Sequence, residues 1–155
     1  VNSIASAIGQ GNHQFSCLNL ARYVTTIATS GTCYNLTLVD KITDHDGELI
    51  RDNSAEVDHV MNISSSTWDA VHTGMKMAGD SYSSLKVSGL SIAAKTGTAQ
   101  ERLTEPDHAT LITYAPYENP EIAMAIVLPH GYDSARNTEL GTAVYNIYYS
   151  LYPRN

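Results

Sequence analysis

The chain has 155 residues, 9 basic against 16 acidic side chains for a formal net charge of −7, and 43% hydrophobic with 16% charged residues. That is an ordinary globular composition at a length that favours one domain, and the acidic balance argues against a nucleic-acid partner, whose phosphates are held by clustered Lys and Arg. No apolar run approaches the roughly 20 residues that span a bilayer, and Val1 opens without the basic segment of a secretion signal, so any anchor is expected outside this sequence.

Ser16 carries the short hydroxyl of a helix N-cap, with Phe15 and Leu20 placed for a hydrophobic staple. Leu20, Val24, Ile27 and Ala28 then recur at helical spacing, predicting a helix that stops at Ser30-Gly31, where glycine tolerates the left-handed backbone. Cys17 and Cys33 flank this helix, whose ends stand roughly 20 Å apart, so no disulfide is expected between them. A β-rich passage should follow over 33–42. Asp44-His45-Asp46-Gly47 reads as its solvated turn, since the acidic residues there do not complete a calcium loop.

A second helix is predicted over 67–78, with Ser66 as N-cap, Asp69 in the first turn and Gly79 just past the end. Trp68, Val71, Met75 and Ala78 would be its buried stripe, and Gly74 would admit a neighbouring backbone. Residues 90–99, 109–115 and 122–128 then read as an antiparallel sheet, the last two strands joined by a hairpin loop over 116–121. Residues 122–128 are apolar on both alternating faces, which implies helices on both sides. One such helix is evident at the C-terminus, where Leu140, Val144, Ile147, Tyr148 and Leu151 share a face before Pro153. The fold class is α+β: an antiparallel sheet covered by helices, in a single domain or fragment.

Lys95-Thr96-Gly97-Thr98 ends the first of these strands. Serine acyl-transferases that open peptide or β-lactam carbonyls bring together a Ser-x-x-Lys motif, a Ser-x-Asn-type motif and a Lys-Thr-Gly strand. Ser83-Ser84-Leu85-Lys86 is the only formal match to the first, and no Ser-x-Asn triplet occurs. A nucleophilic serine needs its base one helical turn away, and the stretch between Gly79 and Gly89 has no helical pattern. No nucleophile is assigned in this chain. His13, His45, His59, His72, His108 and His130 show no ligand spacing, so neither metal nor cofactor is expected. The ten tyrosines read as packing residues with a wet hydroxyl end.

In order, these pieces resemble the C-terminal half of the transpeptidase domain of class B penicillin-binding proteins. Ala7-Ile8-Gly9-Gln10-Gly11 is similar to the family's Gly-Gln-Gly turn, and the helix over 18–28, Gly31-Thr32, Gly74-Met75, Lys95-Thr96-Gly97-Thr98-Ala99, His108-Ala109 and Tyr114-Ala115-Pro116 follow in family order. The family often has an aromatic pair after His-Ala and a Gly before Tyr-Ala-Pro, where this chain has Thr110-Leu111 and Thr113.

The resemblance implies the penicillin-binding and β-lactamase-like fold, and a parent protein that acylates a serine with D-Ala-D-Ala stem peptides of peptidoglycan and is trapped by β-lactams. In that setting Lys95 would be the positive charge beside the Ser-x-Asn serine, and Thr96 and Thr98 would hydrogen-bond the substrate carboxylate. The Thr98 backbone N–H would be half of an oxyanion hole. Gly97 would keep the strand bare for substrate, and Gln100 would touch the backbone of a stem peptide or β-lactam lying along the edge. The nucleophile helix would belong to a missing N-terminal half, in an extracytoplasmic parent anchored at the cell membrane. Apolar positions facing that half, with Phe15, Trp68 and Ile92 as the test, would be exposed or would drive self-association. The alternatives are a serine β-lactamase and a penicillin-sensing receptor domain that is acylated without turnover.

Overall fold

The computed structural model describes residues 14–100 and 104–154, so the Gly-Gln-Gly segment and His13 lie outside the described residues. Ser16 does cap the first helix, α1 (Cys17–Ala28), its Oγ accepting from the Asn19 N–H at 3.1 Å. Val24, Ile27 and Ala28 are buried, and Leu20 is half-buried. The helix closes through two left-handed residues, Ser30 (φ 53°) and Gly31 (φ 104°), and a Cβ on Gly31 would strike the Trp68 ring at 2.9 Å. Both cysteines are free.

The β-rich passage divides into two ribbons. β1 (Thr32–Tyr34) pairs antiparallel with β4 (Val57–Val60), and β2 (Lys41–Thr43) pairs antiparallel with β3 (Leu49–Asp52). β3 and β4 carry no sequence signal strong enough to have been expected, because every residue in them is exposed and no buried face imposes alternation. Asp44 is the turn residue: its Oδ1 accepts from the N–H groups of Asp46 and Glu48 at 3.0 and 2.8 Å.

The second helix, α2 (Ser65–Ser81), starts two residues earlier and ends later than its pattern predicts. Ser64 rather than Ser66 is the N-cap, accepting from Thr67 N–H at 3.3 Å, and Asp69 falls beyond the first turn. Trp68 and Met75 are buried as expected, but Val71 is exposed. The close backbone approach is at Gly79, where a Cβ would collide with the Ile92 carbonyl; nothing lies within 4 Å at Gly74.

β5 (Ala93–Ala99), β6 (His108–Ala115) and β7 (Ile122–Leu128) form the predicted antiparallel sheet in the order β5-β6-β7. One face packs on α1 and α2 through Val24, Ile27, Trp68, Met75, Ala93 and Tyr114. The other packs Ile92, Leu111 and Met124 on Leu85 and on Tyr145 of the last helix, α3 (Ala135–Leu151).

α3 turns a different face to the sheet from the one its hydropathy suggests. Asn137, Thr138, Gly141 and Tyr145 are buried, whereas Leu140, Val144, Ile147 and Leu151 are exposed, the last two by 61% and 67%. The reason is close packing plus hydrogen bonding: Gly141 lets the helix reach Leu111 and Leu85, Tyr145 Oη meets Thr113 Oγ1 at 2.9 Å, and Thr142 donates to the Ser84 carbonyl at 2.6 Å. Of the three residues expected to face a missing half, Phe15 is 62% exposed but Trp68 and Ile92 are buried within the chain's own core.

Candidate active site

The Lys-Thr-Gly strand is an outer strand with a firm root. At its start Ala93 and Ala94 are fully buried, the Ala93 carbonyl accepts from Thr113 Oγ1 at 2.8 Å, and Ile92 lies against Gly79. From Lys95 onward exposure rises, while pairing with β6 continues through Lys95↔Ile112, Gly97↔Thr110 and Thr98↔Ala109 to Ala99↔His108. The opposite edge pairs with no strand among the described residues. On such an edge, alternate residues direct N–H and C=O groups away from the sheet, which is what an added extended peptide needs.

Lys95 is exposed, and its Nζ donates to the Thr96 carbonyl at 2.6 Å. Thr96 is half-buried with its Oγ1 at 2.9 Å from the Tyr82 hydroxyl. Thr98 is exposed, as is Gln100 just past the strand end. Strand alternation puts Lys95 and Gly97 on one face and Thr96 and Thr98 on the other. Lys95, Thr96, Gly97 and Thr98 thus lie on the partly exposed stretch of β5, with Gln100 next to its end. Tyr82, which orients Thr96, was not legible in the sequence, because it reaches the strand through the turn after α2 and no motif spacing links the two.

Gly97 has a packing reason that the sequence did not show. A Cβ there would stand 2.5 Å from Thr110 Oγ1, which itself donates to the Gly97 carbonyl at 3.0 Å. The bareness of the strand at this point is therefore favoured from within the sheet.

Ser83 lies in a turn and Lys86 just beyond it, and the two share no helix. The Lys86 ammonium donates to the Asp80 carbonyl at 2.9 Å, Leu85 is buried, and the Ser84 hydroxyl is bonded to Thr138. His72 bridges α2 to the Ile27 carbonyl at 2.9 Å, and His45 sits in the exposed turn beside Asp46. In the separate β1–β4 ribbon, Cys33, Asp58 and His59 bring their ligand atoms within 4.8 Å of one another.

Over residues 1–149 the sequence matches the family described as penicillin binding protein transpeptidase domain. The chain belongs to this family. It is 29% identical over 171 residues to penicillin-binding protein 2B of Streptococcus pneumoniae, covering 99% of this chain and 25% of that protein. It is 32% identical over 167 residues to penicillin-binding protein 2A of Bacillus subtilis, covering 94% and 23%. The fold agrees with that of penicillin-binding protein 2B from S. pneumoniae strain R6, at TM-score 0.84 and 28% identity over 99% of this chain and 28% of that one. It also agrees with penicillin-binding protein A from M. tuberculosis, solved as an imipenem acyl-enzyme complex, at TM-score 0.82 and 28% identity over 92% and 32%. This transpeptidase-family chain spans about a quarter of the length of the curated relatives it matches.

Proposed function

We propose that this chain is the Lys-Thr-Gly half of a peptidoglycan D,D-transpeptidase, whose parent acylates a serine with a D-Ala-D-Ala stem peptide and is inhibited by β-lactams that acylate the same serine. The observation that carries it is the Lys95-Thr96-Gly97-Thr98 strand standing as a rooted, open-edged outer strand in a chain of this family. On this reading Lys95 provides positive charge for proton transfer and for the substrate carboxylate, and Thr96 and Thr98 bind that carboxylate. The Thr98 N–H stabilises the oxyanion, and Gln100 contacts the peptide backbone. The second oxyanion donor and the nucleophile come from sequence outside these 155 residues, in a parent held at the outer side of the cell membrane. The turn at 83–86 supports this, since Lys86 is engaged with a backbone carbonyl and is not one helical turn from Ser83.

The exposed α3 stripe is, on the same reading, a surface that the rest of the domain covers and that self-associates in its absence. The test is a fluorescent penicillin followed by mass spectrometry. The 155-residue chain alone stays unlabelled and hydrolyses nothing, while the complete parent is acylated stoichiometrically. Acylation of the isolated chain, above all at Ser83, overturns the assignment.

A further inference from the structure

We propose that Cys33, Asp58 and His59 form a zinc site, independent of the transpeptidase strand and of the reading given to it. Sequence spacing hides it, because the ligands lie 25 and 26 positions apart and are united only by strand pairing. Cys33 and His59 are direct cross-strand partners in the β1–β4 ribbon, so their side chains rise on one face of it. Asp58 turns toward the same point, its Oδ2 at 3.0 Å from His59 Nδ1.

The three ligand atoms lie within 4.8 Å of one another, while tetrahedral coordination with bonds of 2.0–2.3 Å asks for roughly 3.3–3.8 Å between them. Small side-chain rotations close that difference. The chemistry is that of zinc, which takes sulfur, imidazole and carboxylate ligands alike, whereas calcium and magnesium favour oxygen ligands and not a thiolate.

The surroundings supply what a bound ion needs. Cys33 is 7% exposed, at the middle of β1. Arg22 of α1 pins the carboxylate from the other side, its Nη2 at 2.7 Å from Asp58 Oδ2 and its Nε donating to the Tyr34 carbonyl at 2.8 Å. Both bonds to Asp58 fall on one oxygen, so the second oxygen can serve the metal. Cys33 and His59 also line a cavity of about 470 Å³ with Phe15, Asn35 and Met61, so the fourth position of the ion opens onto a space that admits water or a small ligand. Three protein ligands with a fourth position left to water is an open rather than a closed structural site, and the nearby Arg22 charge lowers its affinity for a cation.

The experiment is titration of the full 155-residue chain with Co2+ as a spectroscopic substitute, then displacement by Zn2+. The expected result is a thiolate-to-cobalt charge-transfer band at one equivalent that Zn2+ abolishes. The band should be lost in Cys33→Ser and unchanged in Cys17→Ser, whose thiol lies outside the site. His59→Ala and Asp58→Asn should each weaken binding by about tenfold or more. Circular dichroism confirms that each variant is folded. No band from a natively folded chain, a band that persists in Cys33→Ser, or full affinity in both His59→Ala and Asp58→Asn overturns the proposal.

Discussion

Gly97 and Thr110 stand opposite each other across the β5–β6 ladder, and the threonine hydroxyl occupies the space that a side chain on Gly97 would need. Gly97→Ala should therefore cost about 1–2 kcal/mol, from lost hydrogen bonding and local overpacking. Much of that loss should return in the Gly97→Ala/Thr110→Ala double variant. Urea unfolding of the four members of this cycle measures the coupling; additive effects would show that Thr110 is not the obstacle.

Two glycines of α2 should respond in opposite directions. Gly74 is exposed with open space around it, so Gly74→Ala should stabilise by about 0.5–1 kcal/mol through helix propensity. At Gly79 a methyl group meets the backbone of Ile92, which cannot rotate away, and Gly79→Ala should destabilise by about 2–3 kcal/mol. Melting temperatures of the two single variants decide it.

Burial pushes the Tyr114 hydroxyl up to about 12, with the neighbouring Tyr117 adding to the shift, and burial raises Tyr145 further still. In the unfolded chain both ionise near pH 10. A raised folded value means that stability is fully present below the unfolded value and is lost as pH rises through the folded one, here across about pH 10 to 12. Urea midpoints should be flat up to about pH 10 and fall above it. The Tyr114 hydroxyl has no hydrogen-bond partner among the described residues, so Tyr114→Phe should be neutral or slightly stabilising near neutrality and should make the alkaline decline shallower.

In the complete parent, Lys95→Ala should slow acylation by a fluorescent penicillin about 100-fold or more, as expected for loss of a positioned charge. Tyr82→Phe removes only the hydroxyl that orients Thr96 at 2.9 Å, and should cost about tenfold or less. Pre-steady-state labelling rates compare the two. Equal losses would mean that Tyr82 does more than orient.

The exposed α3 stripe should govern association of the isolated chain. Ile147→Glu and Leu151→Glu, both at exposed positions, should shift light scattering toward the monomer while changing folding stability by no more than about 0.5 kcal/mol. Unchanged association in the double variant would exclude this surface.

The sheet and the site strand were legible in the sequence because they depend on local signals: short apolar runs, a Pro-Tyr-Glu-Asn-Pro hairpin, and a four-residue motif near a strand end. The helix cap at Ser16 was legible for the same reason, since its bond reaches only to Asn19.

What only the tertiary structure decided is which surface meets which. α3 buries Thr138, Gly141 and Tyr145 because a glycine allows close approach and hydroxyls find partners on Thr113 and Ser84, gains that no hydropathy pattern records. The pattern along the chain makes Gly74 the site of close approach and Gly79 a helix stop, yet it is Gly79 that faces a backbone. Cys33 and His59 become neighbours through a strand register, just as Tyr82 and Thr96 do through a turn; contacts between distant residues are set by the packing of whole elements and leave no periodic trace.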